Sequence, residues 1–68
     1  MKTKLKVLRA ERGLTQEDLA KMLGTTQVVV SSWETGRATP KPAMMQKISD
    51  LFKVPKEEIF FTAFNYLK

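Results

Sequence analysis

The sequence has no cysteine and no histidine among its 68 residues. No disulfide can form, no Cys/His zinc site can be assembled, and the side chain that most often moves protons near neutral pH is missing. Only seven carboxylates are present, so the usual acid, base, nucleophile and ligand sets are nearly absent. Catalysis is not expected, and no metal or cofactor is implied. No uninterrupted apolar stretch exceeds three residues, as at Val28 to Val30, far short of the ~20 of a membrane span, and no signal-peptide pattern precedes it. A soluble, cytoplasmic protein without a membrane partner is the expectation. The three glycines, at 13, 24 and 36, are too widely spaced for a loop that cradles phosphate. At this length folding hides about 60% of the surface that the unfolded chain exposes. One small domain is therefore all that fits, stabilised by packed helices or by a partner chain.

Charge, by contrast, is plentiful and unbalanced. Twelve Lys and Arg against seven Asp and Glu give a net charge of +5, and the pI is near 9.8, a balance that favours a polyanionic partner. Up to Lys41 there are eight basic and four acidic residues, and beyond it four and three, so the excess lies in the first part of the chain. Many small basic domains bind nothing anionic, so the order of the residues has to decide.

Leu5, Leu8 and Arg12 share one side of a 3.6-residue period, and Gly13 follows them, which predicts a first helix over about Lys4 to Arg12. Thr15-Gln16-Glu17-Asp18 has the form of a capping box, so a second helix starts at Gln16, carries Leu19, Ala20 and Leu23, and closes at Gly24. Thr26 is placed to cap a third helix from Gln27 to Thr35 with Gly36 as its stop, leaving a very short turn between the second and third. The run from Gln27 to Trp33 also suits a strand, but no other segment offers a strand to pair with it. Pro42 fits the first position of a fourth helix striped by Met44, Met45, Ile48, Leu51 and Phe52. Val54-Pro55 ends it, and Glu57 and Glu58 favour the first turn of a fifth helix carrying Ile59 and Phe60.

Wound at about 100° per residue, the third helix turns Val30 and Trp33 toward Leu19 and Leu23. Centred opposite are Val28 and Thr35, flanked by Ser31, Ser32 and Gln27, and no charge occurs from Met22 to Trp33. A face of amide, hydroxyl and methyl groups suits base edges: Gln can bond adenine through two atoms, Ser serves either base pair, and Val or Thr methyls pack on thymine.

Five short helices with so tight a connection between the second and third describe a helix-turn-helix domain. Leu8-Arg9, Gly13-Leu14-Thr15-Gln16, Leu19-Ala20, Gly24, Trp33-Glu34 and Gly36, continuing through Pro40, Ile48, Phe52, Val54 and Ile59, resemble the Cro/Xre family of phage repressors and related regulators. The resemblance covers about residues 4 to 60. It implies an all-α, compact five-helix, lambda-repressor-like domain over residues 1–60, followed by an aromatic tail at 61–68. It further implies a bacterial or phage-encoded transcriptional regulator of double-stranded DNA, more a repressor than an activator. In that family pattern Gln27, Val28 and Ser32 occupy the base-reading positions in the major groove, with Thr26 beside the sugar-phosphate backbone. Gln16 is similar to the family's phosphate-binding glutamine, and Thr35 and Arg37 fall where the backbone is gripped on the other side. Val28 departs from the polar residues common at its position and points to a thymine methyl; Thr35 stands where Asn is usual. Arg9 and Glu34 match a pair that forms an internal salt bridge between the first and third helices.

Four of the six aromatics, Phe60, Phe61, Phe64 and Tyr66, fall within seven residues at the end of the domain and in the tail. The first four helices already supply a core for a chain this small, so Phe60, Phe64, Tyr66 and Leu67 are expected at a homodimer interface. Two-fold pairing there sets two recognition helices one DNA turn apart, about 34 Å, on a palindromic operator. In the alternative, Phe60 and Phe64 close the core of the single chain. Two other functions fit the same residues: a DNA-binding antitoxin whose aromatic tail contacts a toxin, and a protein-binding adaptor that keeps the fold without using DNA.

Overall fold

The backbone turns left-handed at Gly13, Gly24 and Gly36, with φ of 66, 73 and 81°, and these turns divide the first half of the chain into three helices. A computed structural model of the protein describes residues 3–60. The element order is α1 (Leu5–Glu11), α2 (Gln16–Leu23), α3 (Gln27–Glu34), α4 (Pro42–Phe52) and α5 (Lys56–Ile59). No strand occurs among the described residues, and none of their helices is long and apolar enough to cross a membrane. Helix α1 is shorter than expected by one residue at each end, since Lys4 and Arg12 take the flanking cap positions, and Thr35 does the same at the end of α3.

Helices α2 and α3 start on side-chain caps. Thr15 Oγ1 accepts the Asp18 amide at 3.0 Å, and Asp18 Oδ2 accepts the Thr15 amide at 3.0 Å, so two amides that the helix leaves free are satisfied reciprocally. The hydrogen bond from the Thr15 amide is the largest of the causes that hold the Asp18 carboxyl below its ordinary pKa. The Thr26 hydroxyl accepts the Val29 amide at 3.3 Å. With that cap in place and Val30 and Trp33 buried against the core, the β-branched run is helical. Burial of two large side chains outweighs a propensity deficit of several tenths of a kcal/mol per residue.

The core takes Leu5 and Leu8 from α1, Leu19 and Leu23 from α2, Val30 and Trp33 from α3, and Met45, Ile48 and Phe52 from α4. Polar ties fasten α4 to α1 and α2. Lys47 Nζ donates to the Leu23 carbonyl at 3.0 Å, placing a cation on the C-terminal end of α2, where the helix dipole favours it. Arg12 donates to the carbonyls of Leu8 and Phe52 at 3.1 and 3.0 Å and lies over the Phe52 ring at 4.7 Å.

Helix α5 folds back on α1, and the Lys4 amide donates to the Ile59 carbonyl at 2.9 Å. That return swings Ile59 and Phe60 inward, and both are 0% exposed. The expectation that Phe60 lies between two chains is corrected accordingly: its ring is enclosed within one chain, where the reversal after Val54-Pro55 delivers it. Phe64, Tyr66 and Leu67, with the rest of the expected tail, lie outside the described residues.

Helix α4 ends on Lys53, whose φ of 58° is the only positive value at a residue other than glycine among the described residues. A Cβ in this conformation costs about 1 kcal/mol or more, part of which returns as unfolded-chain entropy when glycine replaces it. Lys53→Gly is expected to stabilise the fold by about 0.5 kcal/mol, seen as a higher urea midpoint with an unchanged slope.

Candidate nucleic-acid interface

The turn from Gly24 to Thr26 is so short that α2 and α3 pack directly against each other, and α3 is left with one side in the core and one in solvent. Val28, the second residue of α3, is 77% exposed, an apolar side chain the core does not use. Gln27, Val28, Ser31, Ser32, Thr35 and Arg37 line an open groove of about 260 Å³ along this side. Its only charge is Arg37, at the far end. A wider cleft of about 490 Å³ opens between the end of α1 and the start of α2, and Gln27 borders both hollows. The expected base-reading residues and two of the four expected backbone residues therefore share one groove, while Gln16 lies in the adjoining cleft.

The hydroxyls differ in what they have free. Ser32 is half-buried, and its Oγ donates to the Val29 carbonyl at 2.6 Å. Thr35 Oγ1 donates to the Ser31 and Ser32 carbonyls at 3.0 and 3.3 Å. Both spend their proton on their own helix, a local bond that short hydroxyl side chains readily make. Each presents oxygen lone pairs to the groove, so donation to a phosphate by Thr35 requires it to leave its helix bond. Thr26 uses its oxygen as an acceptor in the cap and keeps its proton. Arg37 is exposed, and its backbone amide donates to the Ser32 carbonyl at 2.9 Å, which pins the chain as it leaves α3.

Behind this face lies an ionic core. Arg9 Nε donates to Glu34 Oε2 at 2.8 Å and Nη2 to Oε1 at 3.2 Å, while Nη1 donates to the Leu14 carbonyl at 2.8 Å. The two side chains are 13% and 4% exposed. Burial pushes the Glu34 carboxyl up, but hydrogen bonds from Arg9 and Gln16 and the positive charge of Arg9 outweigh it and hold the pKa below the ordinary value. The same hydrogen bond raises the Arg9 guanidinium. Gln16 Nε2 donates to Glu34 Oε1 at 2.9 Å, and Gln27 Nε2 donates to Gln16 Oε1 at 3.4 Å. The bond from Gln16 to Glu34 has no counterpart in the sequence reading. Residues 18 positions apart on different helices carry no shared period by which to find it.

The model of the helix-turn-helix family matches residues 5–59, from the first residue of α1 to the last of α5. The chain belongs to the Cro/Xre-type helix-turn-helix family. Members of this family bind DNA and are not enzymes, and the α2–α3 pair is its namesake motif. An uncharacterized HTH-type transcriptional regulator of Methanocaldococcus jannaschii is 45% identical over 60 residues, which cover 88% of this chain and 91% of its own. The HTH-type transcriptional repressor RghR of Bacillus subtilis is 38% identical over 60 residues, or 87% of this chain and 44% of its own. The HTH-type transcriptional activator BcrR of Enterococcus faecalis is 38% identical over 56 residues, or 82% of this chain and 28% of its own. The chain thus spans less than half of the repressor and of the activator.

Proposed function

We propose that this helix-turn-helix protein is a sequence-specific transcriptional regulator that reads the major groove of double-stranded DNA with α3. The observation that carries the reading is the exposed, uncharged side of α3, which begins at Gln27 and Val28 and ends at the Arg37 cation. In this arrangement Gln27, Val28 and Ser32 meet base edges, Val28 through a thymine methyl. Thr26, Thr35, Arg37 and Gln16 meet the sugar-phosphate backbone. The relatives include a repressor and an activator by name; we favour repression, since a domain that occupies an operator can exclude polymerase without any further contact.

Selection of bound sequences from random duplexes tests the proposal, followed by two variants on the best site. Gln27→Ala is expected to cost about 1 to 3 kcal/mol and to relax preference at one base pair per half-site. Arg37→Ala is expected to weaken all sequences alike. Identical profiles for the two over a panel of operator variants would mean that α3 is not the reader.

The protein is proposed to act as a homodimer on a palindromic operator, with Phe64, Tyr66 and Leu67 in the contact. Burying a large apolar side chain is worth about 1.5 to 3 kcal/mol, so removing three from each chain acts strongly on association. Deletion after Thr62 is expected to dissociate the dimer at micromolar concentration in analytical ultracentrifugation. Circular dichroism should stay helical, because Ile59 and Phe60 remain to complete the core. A dimer that survives the deletion would place the interface elsewhere.

A further inference from the structure

Four side chains from three helices form one hydrogen-bonded series, and its direction is dictated at the buried end. Glu34 is 4% exposed and paired with Arg9. As a carboxylate it can only accept hydrogen bonds. Gln16 therefore has to face it with its amino group, at 2.9 Å, which turns the Gln16 carbonyl oxygen away. That oxygen accepts from Gln27 Nε2 at 3.4 Å. The amino group of Gln27 is thus committed toward α2, leaving one N–H beside a free carbonyl oxygen. One donor next to one acceptor complements adenine, which offers N7 as acceptor and its N6 amino group as donor; guanine offers acceptors at both N7 and O6 and needs two donors.

We infer that Glu34, acting through Gln16, sets the donor–acceptor polarity of Gln27 and so makes that position select adenine over guanine. Glu34 is a positioning residue here and touches no base. The inference rests on the reading of Gln27 as a base-contacting side chain. The low pKa of Glu34 is consistent with a group that stays acceptor-only at neutral pH. A neutral amide at position 34 can donate as well as accept. Gln16 is then free to turn over and offer its amino group to Gln27, whose oxygen swings toward α2. Two N–H groups then face the groove, the pattern that guanine accepts.

The test is a fluorescence-anisotropy titration of a selected duplex and of the same duplex with one A·T pair exchanged for G·C. The pair to exchange is the one whose preference Gln27→Ala relaxes. Wild type is expected to favour A·T about tenfold. Glu34→Gln is expected to shrink that ratio to about threefold or less, with preferences at other base pairs unchanged. Gln16→Met leaves the Arg9–Glu34 pair intact while removing the relay, and is expected to shrink the same ratio. It decides the matter if circular dichroism shows Glu34→Gln to be unfolded. A folded variant that loses affinity equally on every duplex and keeps the tenfold ratio would reduce Glu34 to a structural role and overturn the inference. A wild type that prefers guanine at this pair overturns it as well. If Gln27→Ala leaves every preference unchanged, Gln27 reads no base, and the failure belongs to the underlying reading.

Discussion

Raising the salt concentration from ~50 to ~200 mM is expected to weaken duplex binding about a thousandfold, for a dimer that neutralises about six phosphates. The side of α3 proposed to meet base edges carries no charge before Arg37, so attraction from a distance has to come from cations around it. The net charge of +5 per chain supplies these, and each phosphate contact releases condensed counterions with a slope of about −0.9 in log K against log salt. Titrations at four salt concentrations, with one duplex, give the slope directly. An affinity that holds steady over this range would mean that no phosphates are engaged and would end the DNA-binding reading.

Arg9→Ala is expected to cost about 3 kcal/mol or more. The substitution strands the Glu34 carboxylate, 4% exposed, and takes the guanidinium donor from the Leu14 carbonyl. A small domain has only about 5 to 15 kcal/mol in total, so the thermal midpoint should fall by about 15 °C. The effect depends on pH in a defined direction. The folded-state pKa of Glu34 is lowered from 4.5, so in wild type its stabilisation is complete above the unfolded value and is lost as the pH falls through the folded one. In the variant the carboxyl is buried without its cation and gains from protonation. The gap between the two proteins should therefore narrow as the pH drops below 4.5, which urea titrations at pH 7 and pH 3.5 measure.

How much of this molecule can be read from its sequence depends on the range of the forces involved. The bounds of α2 and the start of α3 are legible because caps and stops are local: Thr15 needs only Asp18, three residues on, and Gly24 needs only its own missing Cβ. The exposed side of α3 is legible for the same reason, since helical period alone separates Val28 from Val30 and Trp33. Phe60 is misread because four clustered aromatics look surplus to a core that is already full. Its burial depends on the reversal at Pro55 and on the bond from Lys4 to Ile59, neither of which leaves a periodic trace. The link from Glu34 to Gln16 is hidden in the same way. It exists only once α2 and α3 have docked, and glutamine is too common on helix surfaces to signal it.

The bond between the Lys4 amide and the Ile59 carbonyl, 2.9 Å long, sets the two ends of the described domain side by side. Whatever is joined to either end emerges from one place on its surface. A unit built this way can be spliced into a longer polypeptide as a cassette, or connected head to tail with a second copy through a short tether, because neither attachment has to cross or stretch the packed interior. An architecture with adjoining ends is portable by construction, and its reading helix travels with it.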